Sequence, residues 1–498
     1  MAHVRFQDRG AFAESGPWRF LPFRFHRLTT DKVLLTNQGG EFIILTNNNF
    51  NAFTSLDLAE QANLYFDLKS KGFLSHGPDD TELRVLASQL RTKKSFLESG
   101  PRLHIFVPTL RCNQVCGYCQ VSRACVDRTG VDMSRETASK AIDLMLSAPA
   151  QNLTMEFQGG EALLAFDMVT WMVETTDDRA QKLGKNVRYV ICTNITLLTD
   201  VHLDLFKRFN VNVSTSLDGP AFIHDKNRPL AGASAYSLVI ENIKKCDEFL
   251  GKGNTSCLMT TTLSSLPHAK LIIDEYLALG QSSIFLRELN PYGYAAKAER
   301  AIGYDTQAFL TFYKEALAYI IEINRKGIHF AEGYAGILLR KILTSGGVGF
   351  VDLQSPTGEG FGVVLYNHDG SVYASDEARM LGEMGDFSFR LGTVDNSFSE
   401  LMLSDTQQCI AAAGVAESLV GCSDCAFVPF CGADPIRNYR TQSDLFGHRP
   451  TSSFCKKNMG VFQHLFSLLD SGDTELQRIL MSWVQPSHRD LPRVPWQR

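Results

Sequence analysis

Two groups of cysteines have spacings that can do chemistry. Cys112-Asn113-Gln114-Val115-Cys116-Gly117-Tyr118-Cys119 is a CxxxCxxC loop, while Cys422-Ser423-Asp424-Cys425 is followed by Cys431 and, beyond a gap, by Cys455. Three thiolates in the first spacing can hold three irons of a [4Fe–4S] cubane, leaving the fourth iron open. Four thiolates in the second can hold a cluster completely. Zinc is the competing reading of both, with Cys125 or a histidine as the extra ligand of the first group. Cys409 is unassigned, and Cys192, Cys246 and Cys257 read as core thiols. The twelve histidines form no HxxxH or HExxH pair, so neither a further metal site nor a metalloprotease is indicated.

Those loops need elements to position them. Apolar, strand-like runs begin near Leu103, Leu153, Val187, Val211, Thr255 and Ser283, and helical periodicity follows, as over 138–146, 200–209 and 237–249. Six such units predict an α/β fold, a partial (β/α)6 TIM-type barrel with its active site at the C-terminal ends of the strands. The CxxxCxxC loop follows the first run. Gly159-Gly160-Glu161 follows the second, Thr193-Asn194 ends the third, Ser216-Leu217-Asp218-Gly219 ends the fourth and Asn290-Pro291 follows the sixth. Each short motif alone is what an ordinary turn contains. At four successive strand ends they converge on one rim.

Over roughly residues 102–300 these motifs resemble the radical S-adenosylmethionine (SAM) superfamily. The resemblance implies an enzyme in which Cys112, Cys116 and Cys119 bind a [4Fe–4S] cluster whose open iron chelates SAM and cleaves it to a 5′-deoxyadenosyl radical. Tyr118 matches the aromatic position beside adenine. Gly159, Gly160 and Glu161 match the motif that receives the methionyl ammonium, while Thr193, Asn194, Ser216 and Asp218 match positions that bind the ribose and carboxylate. The second cysteine group resembles a SPASM domain, a C-terminal cluster-binding extension. A full SPASM domain binds two auxiliary clusters. Here the upstream motif reads Gly370-Ser371-Val372-Tyr373-Ala374-Ser375, with no cysteine at its end, and Pro435 stands where a further cysteine closes the central motif. One auxiliary [4Fe–4S] cluster is therefore expected, on Cys422, Cys425, Cys431 and Cys455.

The 498 residues divide into an N-terminal α+β unit (1–100), the barrel (101–345), a turn-rich SPASM-like domain (346–470) and a polar, proline-containing tail (471–498). The first unit opens with a hairpin, 32–36 and 42–45 about Gly39-Gly40, and helical spacing around Leu56, Leu64, Leu68 and Leu83 follows. A net charge of −5 and a pI near 6.2 provide no polybasic surface for nucleic acid. With no secretory pattern and no apolar run long enough to span a bilayer, the expected location is the cytoplasm.

The barrel motifs identify the reagent, not its target. Enzymes with SPASM-type extensions mature ribosomal peptides and proteins, and the N-terminal unit looks like small winged-helix domains that bind leader peptides by strand addition. The wording at 119–123, 375–381 and 431–435 resembles the maturase of the His-Xaa-Ser repeat peptide system. That resemblance implies a precursor peptide substrate, a second radical SAM protein as partner and an electron donor such as ferredoxin or flavodoxin. Sulfatase-maturase-like protein oxidation, small-molecule radical chemistry and a zinc-stabilised binding scaffold are the alternatives. Asp376, Glu377 and Asp434 are candidate proton acceptors, but no base is assigned. Strand alternation allows only one of Arg287 and Glu288 to point into the barrel.

Overall fold

Six parallel strands form the centre of the computed structural model, which describes residues 18–58, 63–76 and 81–484. The N-terminal unit contains β1 (Trp18–Phe20), β2 (Phe23–Arg27), β3 (Lys32–Asn37), β4 (Phe42–Thr46) and β5 (Leu74–His76), with helices Asn47–Thr54, Asn63–Ser70 and Thr81–Lys93. β2, β3 and β4 make an antiparallel sheet in that order, so the expected hairpin is present within it. Alternation along β3 explains how the unit docks. Val33 and Leu35 face its own core with Phe50, Phe53 and Tyr65, while Leu34 faces the main core.

The barrel strands are β6 (Leu103–Thr109), β7 (Asn152–Gly159), β8 (Asn186–Thr193), β9 (Asn212–Ser216), β10 (Thr255–Thr260) and, after the short β11 (Ser283–Ile284), β12 (Leu286–Arg287). β11 pairs instead with β13 (Ala331–Glu332). Helices Arg135–Ser147, Phe166–Lys182, Asp200–Arg208, Ala235–Leu250 and Ala269–Ala278 alternate with the strands. Strand order β12-β10-β9-β8-β7-β6, with every pairing parallel, is that of the expected partial barrel.

The sheet does not stop at β6. β14 (Val363–Tyr366) adds parallel to it, and β15 (Ser371–Tyr373) and β16 (Arg390–Thr393) continue antiparallel. The C-terminal domain thus shares the barrel's sheet. Its helices Asp376–Glu383, Pro435–Gln442 and Ser453–Leu469 stand over the C-terminal rim.

The expected tail at 471–498 is not wholly a tail. Thr474–Val484 is a helix that packs on Gly333–Leu343 and buries Leu476, Ile479, Leu480, Trp483 and Val484. Those residues follow the i, i+3, i+4, i+7, i+8 pattern of an amphipathic helix, which the proline-rich end of the chain obscured. Residues 485–498 lie outside the described residues. Trp483 is 4% exposed, so Trp483→Ala is expected to cost about 3–5 kcal/mol, read as a lowered midpoint in chemical denaturation. An unchanged midpoint would show that this helix contributes nothing to the core.

Candidate functional site

A cavity of about 560 Å³ opens at the C-terminal rim, lined by Cys112, Cys116 and Cys119 on one side and by the C-terminal domain on another. Backbone hydrogen bonds from several elements hold the cysteine loop. Cys112 N donates to Ala124 O at 3.0 Å, Gly117 N to Asn227 O at 3.2 Å, and Tyr294 N to Cys119 O at 2.8 Å. Arg111 pairs with Asp132 at 2.8 Å and also donates to Leu164 O, pinning the loop's start. Gly159 and Gly160 border the cavity, but their steric role faces the other way. A Cβ on Gly160 would sit 2.2 Å from Arg111 O, and one on Gly159, at φ +119°, 2.4 Å from Thr109 O. The glycines let β7 end against the cysteine loop.

Glu161 lies behind the cavity's lining. Its carboxylate is fully buried and does not line the cavity. It accepts from Thr193 Oγ1 at 2.6 Å, Leu163 N at 3.0 Å and Asn194 N at 2.7 Å. A carboxylate already accepting these bonds joins the ends of β7 and β8 and stands behind the site. Asp218 is likewise buried behind the wall. It accepts from Tyr118 Oη at 2.6 Å, Asn227 Nδ2 and Arg228 Nε at 3.2 Å, and Thr260 N at 3.2 Å. It orients Tyr118, whose ring borders the cavity with the Arg228 guanidinium 5.1 Å from its centroid. Thr193, Asn194 and Ser216 do line the cavity, as does Asn290, which donates to Gln120 Oε1 at 3.0 Å.

Several lining residues had no sequence signal. Arg228 follows a helix with no motif around it. Cys192, expected in the core, lines the cavity and donates to half-buried Glu156 at 3.5 Å. Arg287 and Glu288 both border the cavity. β12 ends at Arg287, so alternation no longer governs Glu288. Glu288 Oε1 accepts from Arg437 Nη1 at 2.6 Å and Lys457 Nζ at 3.0 Å, and these two cations hold its carboxyl below the usual range against the effect of burial.

The first three thiols sit close enough to weigh on one another. Burial raises Cys112 to about 12 and Cys116 to about 11, so a metal must displace their protons. Cys422, Cys425, Cys431 and Cys455 form a second group, each raised by burial, and Cys422, Cys425 and Cys455 also by neighbouring thiols of the group. Arg449, Lys341, Lys457 and Arg24 surround that group with positive charge. Cys425 and Cys431 lie on the tight turns of 422–431, and Cys455 in the first turn of Ser453–Leu469. Among the described residues, no three His, Cys, Asp or Glu side chains converge closely enough to hold a single metal ion. Cys125 and Cys409 are exposed.

Residues 106–264 match the Radical SAM superfamily. This segment is a radical SAM domain. Enzymes of that superfamily use a [4Fe–4S] cluster and SAM, and the matched segment contains Cys112, Cys116 and Cys119. An uncharacterised protein of Methanocaldococcus jannaschii is 30% identical over 194 residues, covering 39% of this chain and 64% of that protein. A cysteine-type anaerobic sulfatase-maturating enzyme of Clostridium novyi is 31% identical over 139 residues, covering 27% and 37%. The chain thus spans less than two thirds of either relative. Native anSMEcpe with bound AdoMet and Kp18Cys peptide has a similar fold, with TM-score 0.63, 18% identity and coverage of 77% of this chain and 100% of that one. Streptococcus suis SuiB bound to precursor peptide SuiA follows, with TM-score 0.53, 13% identity and coverage of 87% and 98%.

The position of Glu161 predicts a particular defect. In Glu161→Gln an amide N–H₂ must face either the Asn194 N–H or the Thr193 and Leu163 donors, at a cost of about 1–3 kcal/mol. Thermal stability of the SAM-free protein is expected to fall together with SAM affinity. Loss of affinity at unchanged stability would return Glu161 to a direct ligand role.

Proposed function

We propose that this radical SAM enzyme modifies a ribosomally made peptide, one carrying His-Xaa-Ser repeats, in the cytoplasm. In this reading Cys112, Cys116 and Cys119 hold the SAM-binding cluster, and Cys422, Cys425, Cys431 and Cys455 hold one auxiliary cluster. Tyr118, Gly159, Gly160, Thr193, Asn194 and Ser216 border the SAM position, with Glu161 and Asp218 supporting them from behind. When bound, these groups supply a 5′-deoxyadenosyl radical that removes a hydrogen atom and an acceptor for the second electron that crosslinking or dehydrogenation releases.

The observation that carries the reading is the shared cavity. The cysteine loop forms one side, and residues from three C-terminal helices form another. A substrate segment held there would face the first cysteine set; of the second set, Cys431 lines a separate cavity. Tyr118 is fixed by Asp218 before any ligand binds, so its ring is preorganised as a stacking surface. The exposed-edge candidates for a leader peptide are β2 and β4, the outer strands of the N-terminal sheet. A second radical SAM protein and a ferredoxin or flavodoxin complete the proposed system. Among the described residues no helix is long and apolar enough to cross a membrane. Oxidation of a residue in another enzyme is the second reading, supported by the similarity to the Clostridium novyi maturase.

Iron and acid-labile sulfide on anaerobically purified protein test the cofactor assignment. About eight irons per chain are expected, falling to about four when Cys112, Cys116 and Cys119 become alanine, and to about four when Cys422 and Cys425 do. Zinc without sulfide overturns it. Co-expression with a His-Xaa-Ser repeat peptide is expected to remove two hydrogens from the peptide, or to epimerise a residue and bring in solvent deuterium. An unmodified peptide alongside a modified sulfatase would favour the second reading.

A further inference from the structure

The cavity wall formed by the C-terminal domain is acidic, and most cations near it are already paired; Arg287, which also lines the cavity, has no ion-pair partner among the described residues. Asp352 comes from the turn Val351–Leu353, Glu377 from the first turn of Asp376–Glu383, and Asp434 caps Pro435–Gln442 by accepting from Arg437 N at 2.9 Å. All three line the cavity, with Glu359 buried behind them. Among the basic residues nearby, Arg437 and Lys457 pair with Glu288, Arg379 with Asp376 and Arg228 with Asp218. Arg123 lies against the Tyr294 ring. The charges that weigh most on Glu377 are those of Asp352, Asp376 and Asp434, all acidic. Burial and these neighbours push Glu377 up to about 8 and contribute to holding Asp434 at about 6. Like charges gathered in this way call for shared protons or a bound cation.

A second observation points to a ligand. Tyr292 is 1% exposed and lines the same cavity, yet its hydroxyl has no hydrogen-bond partner among the described residues. The charged groups around it are Asp434, Glu377, Arg437 and Glu359. Leaving a buried hydroxyl unpaired is costly, and native sites that do so commonly await a partner. A metal ion is a poor occupant, because these side chains do not converge on one point. An organic cation with several donors can bridge carboxylates on separate elements.

We propose that Asp352, Glu377, Asp434 and Tyr292 form a subsite for a positively charged side chain of the substrate, an ammonium, guanidinium or imidazolium group. The proposal rests on the peptide-substrate reading and deepens it. A cationic residue anchored on this wall places its sequence neighbours across the cavity, toward the cysteine loop. The subsite recognises the substrate by charge and leaves the reacting position free of it.

Ligand-observed NMR on the full, cluster-loaded chain tests this with methylguanidinium and its neutral isostere N-methylurea. Methylguanidinium is expected to bind about tenfold more tightly, with Glu377→Gln and Asp434→Asn each weakening it about fivefold and Tyr292→Phe about threefold, at unchanged iron content. Equal binding of the two probes overturns the proposal. So does full methylguanidinium binding by Glu377→Gln and Asp434→Asn, or a tight Mn²⁺ site that Glu377→Gln abolishes. Probe selectivity with no modified peptide would sink the peptide reading alone, whereas a modified peptide with no probe selectivity would sink the subsite alone.

Discussion

A parallel sheet gathers the C-terminal ends of its strands on one rim, where backbone N–H groups run out of strand partners. Two buried carboxylates meet that constraint here. Glu161 accepts from the backbone at Leu163 and Asn194 and from the Thr193 hydroxyl, while Asp218 accepts from Thr260 N, Tyr118, Asn227 and Arg228. Each is fully buried, so each is expensive to leave unpaired and rigid once paired. The cysteine loop inherits that rigidity. Tyr118 sits within it, and Asn194 reaches it through Asn113 at 2.8 Å.

A second ionic junction joins the rim to the C-terminal domain. Glu288, just past β12, holds Arg437 from one helix and Lys457 from another. A buried pair of this kind gives little net stability, but breaking it strands a charge, so it specifies how the two parts meet. The cavity is the space left between them. Asp434 lies beside the same two cations, which favour its ionised form, while burial and the nearby Asp352 oppose it.

The second cysteine set is clamped from both ends of the chain. Thr36 Oγ1 donates to Ala426 O at 2.7 Å, Arg24 donates to Ser423 O, and the rings of His26 and Phe427 lie 4.9 Å apart. Cys455 enters from the helix Ser453–Leu469, whose Phe462 stacks on Phe427 at 5.4 Å. The N-terminal sheet is thus part of the wall around that set. A peptide strand added to this sheet would lie on an element in direct contact with the cysteine loop 422–431.

Local pattern made the barrel legible, because strand and helix periods, turn chemistry and cysteine spacing are written within a few residues of one another. The cysteine sets, Tyr118, Thr193, Asn194 and Ser216 were read from motifs, and the structure brings the first set and those four residues to one cavity. Motifs carry no information about which way a carboxylate faces. Glu161 and Asp218 match ligand positions in sequence, but their direction is set by donors supplied from other strands, such as Asn194 and Thr260. The helix Thr474–Val484 was missed although its apolar spacing is regular, because its proline-rich surroundings dominated the composition. Sequence alone determined the spacing of the two cysteine sets and the sheet on which the first is mounted. Only the tertiary structure decided what Glu288, Arg437, Lys457, Glu377 and Tyr292 do, since residues as much as 169 positions apart meet there and long-range electrostatics leave no local trace.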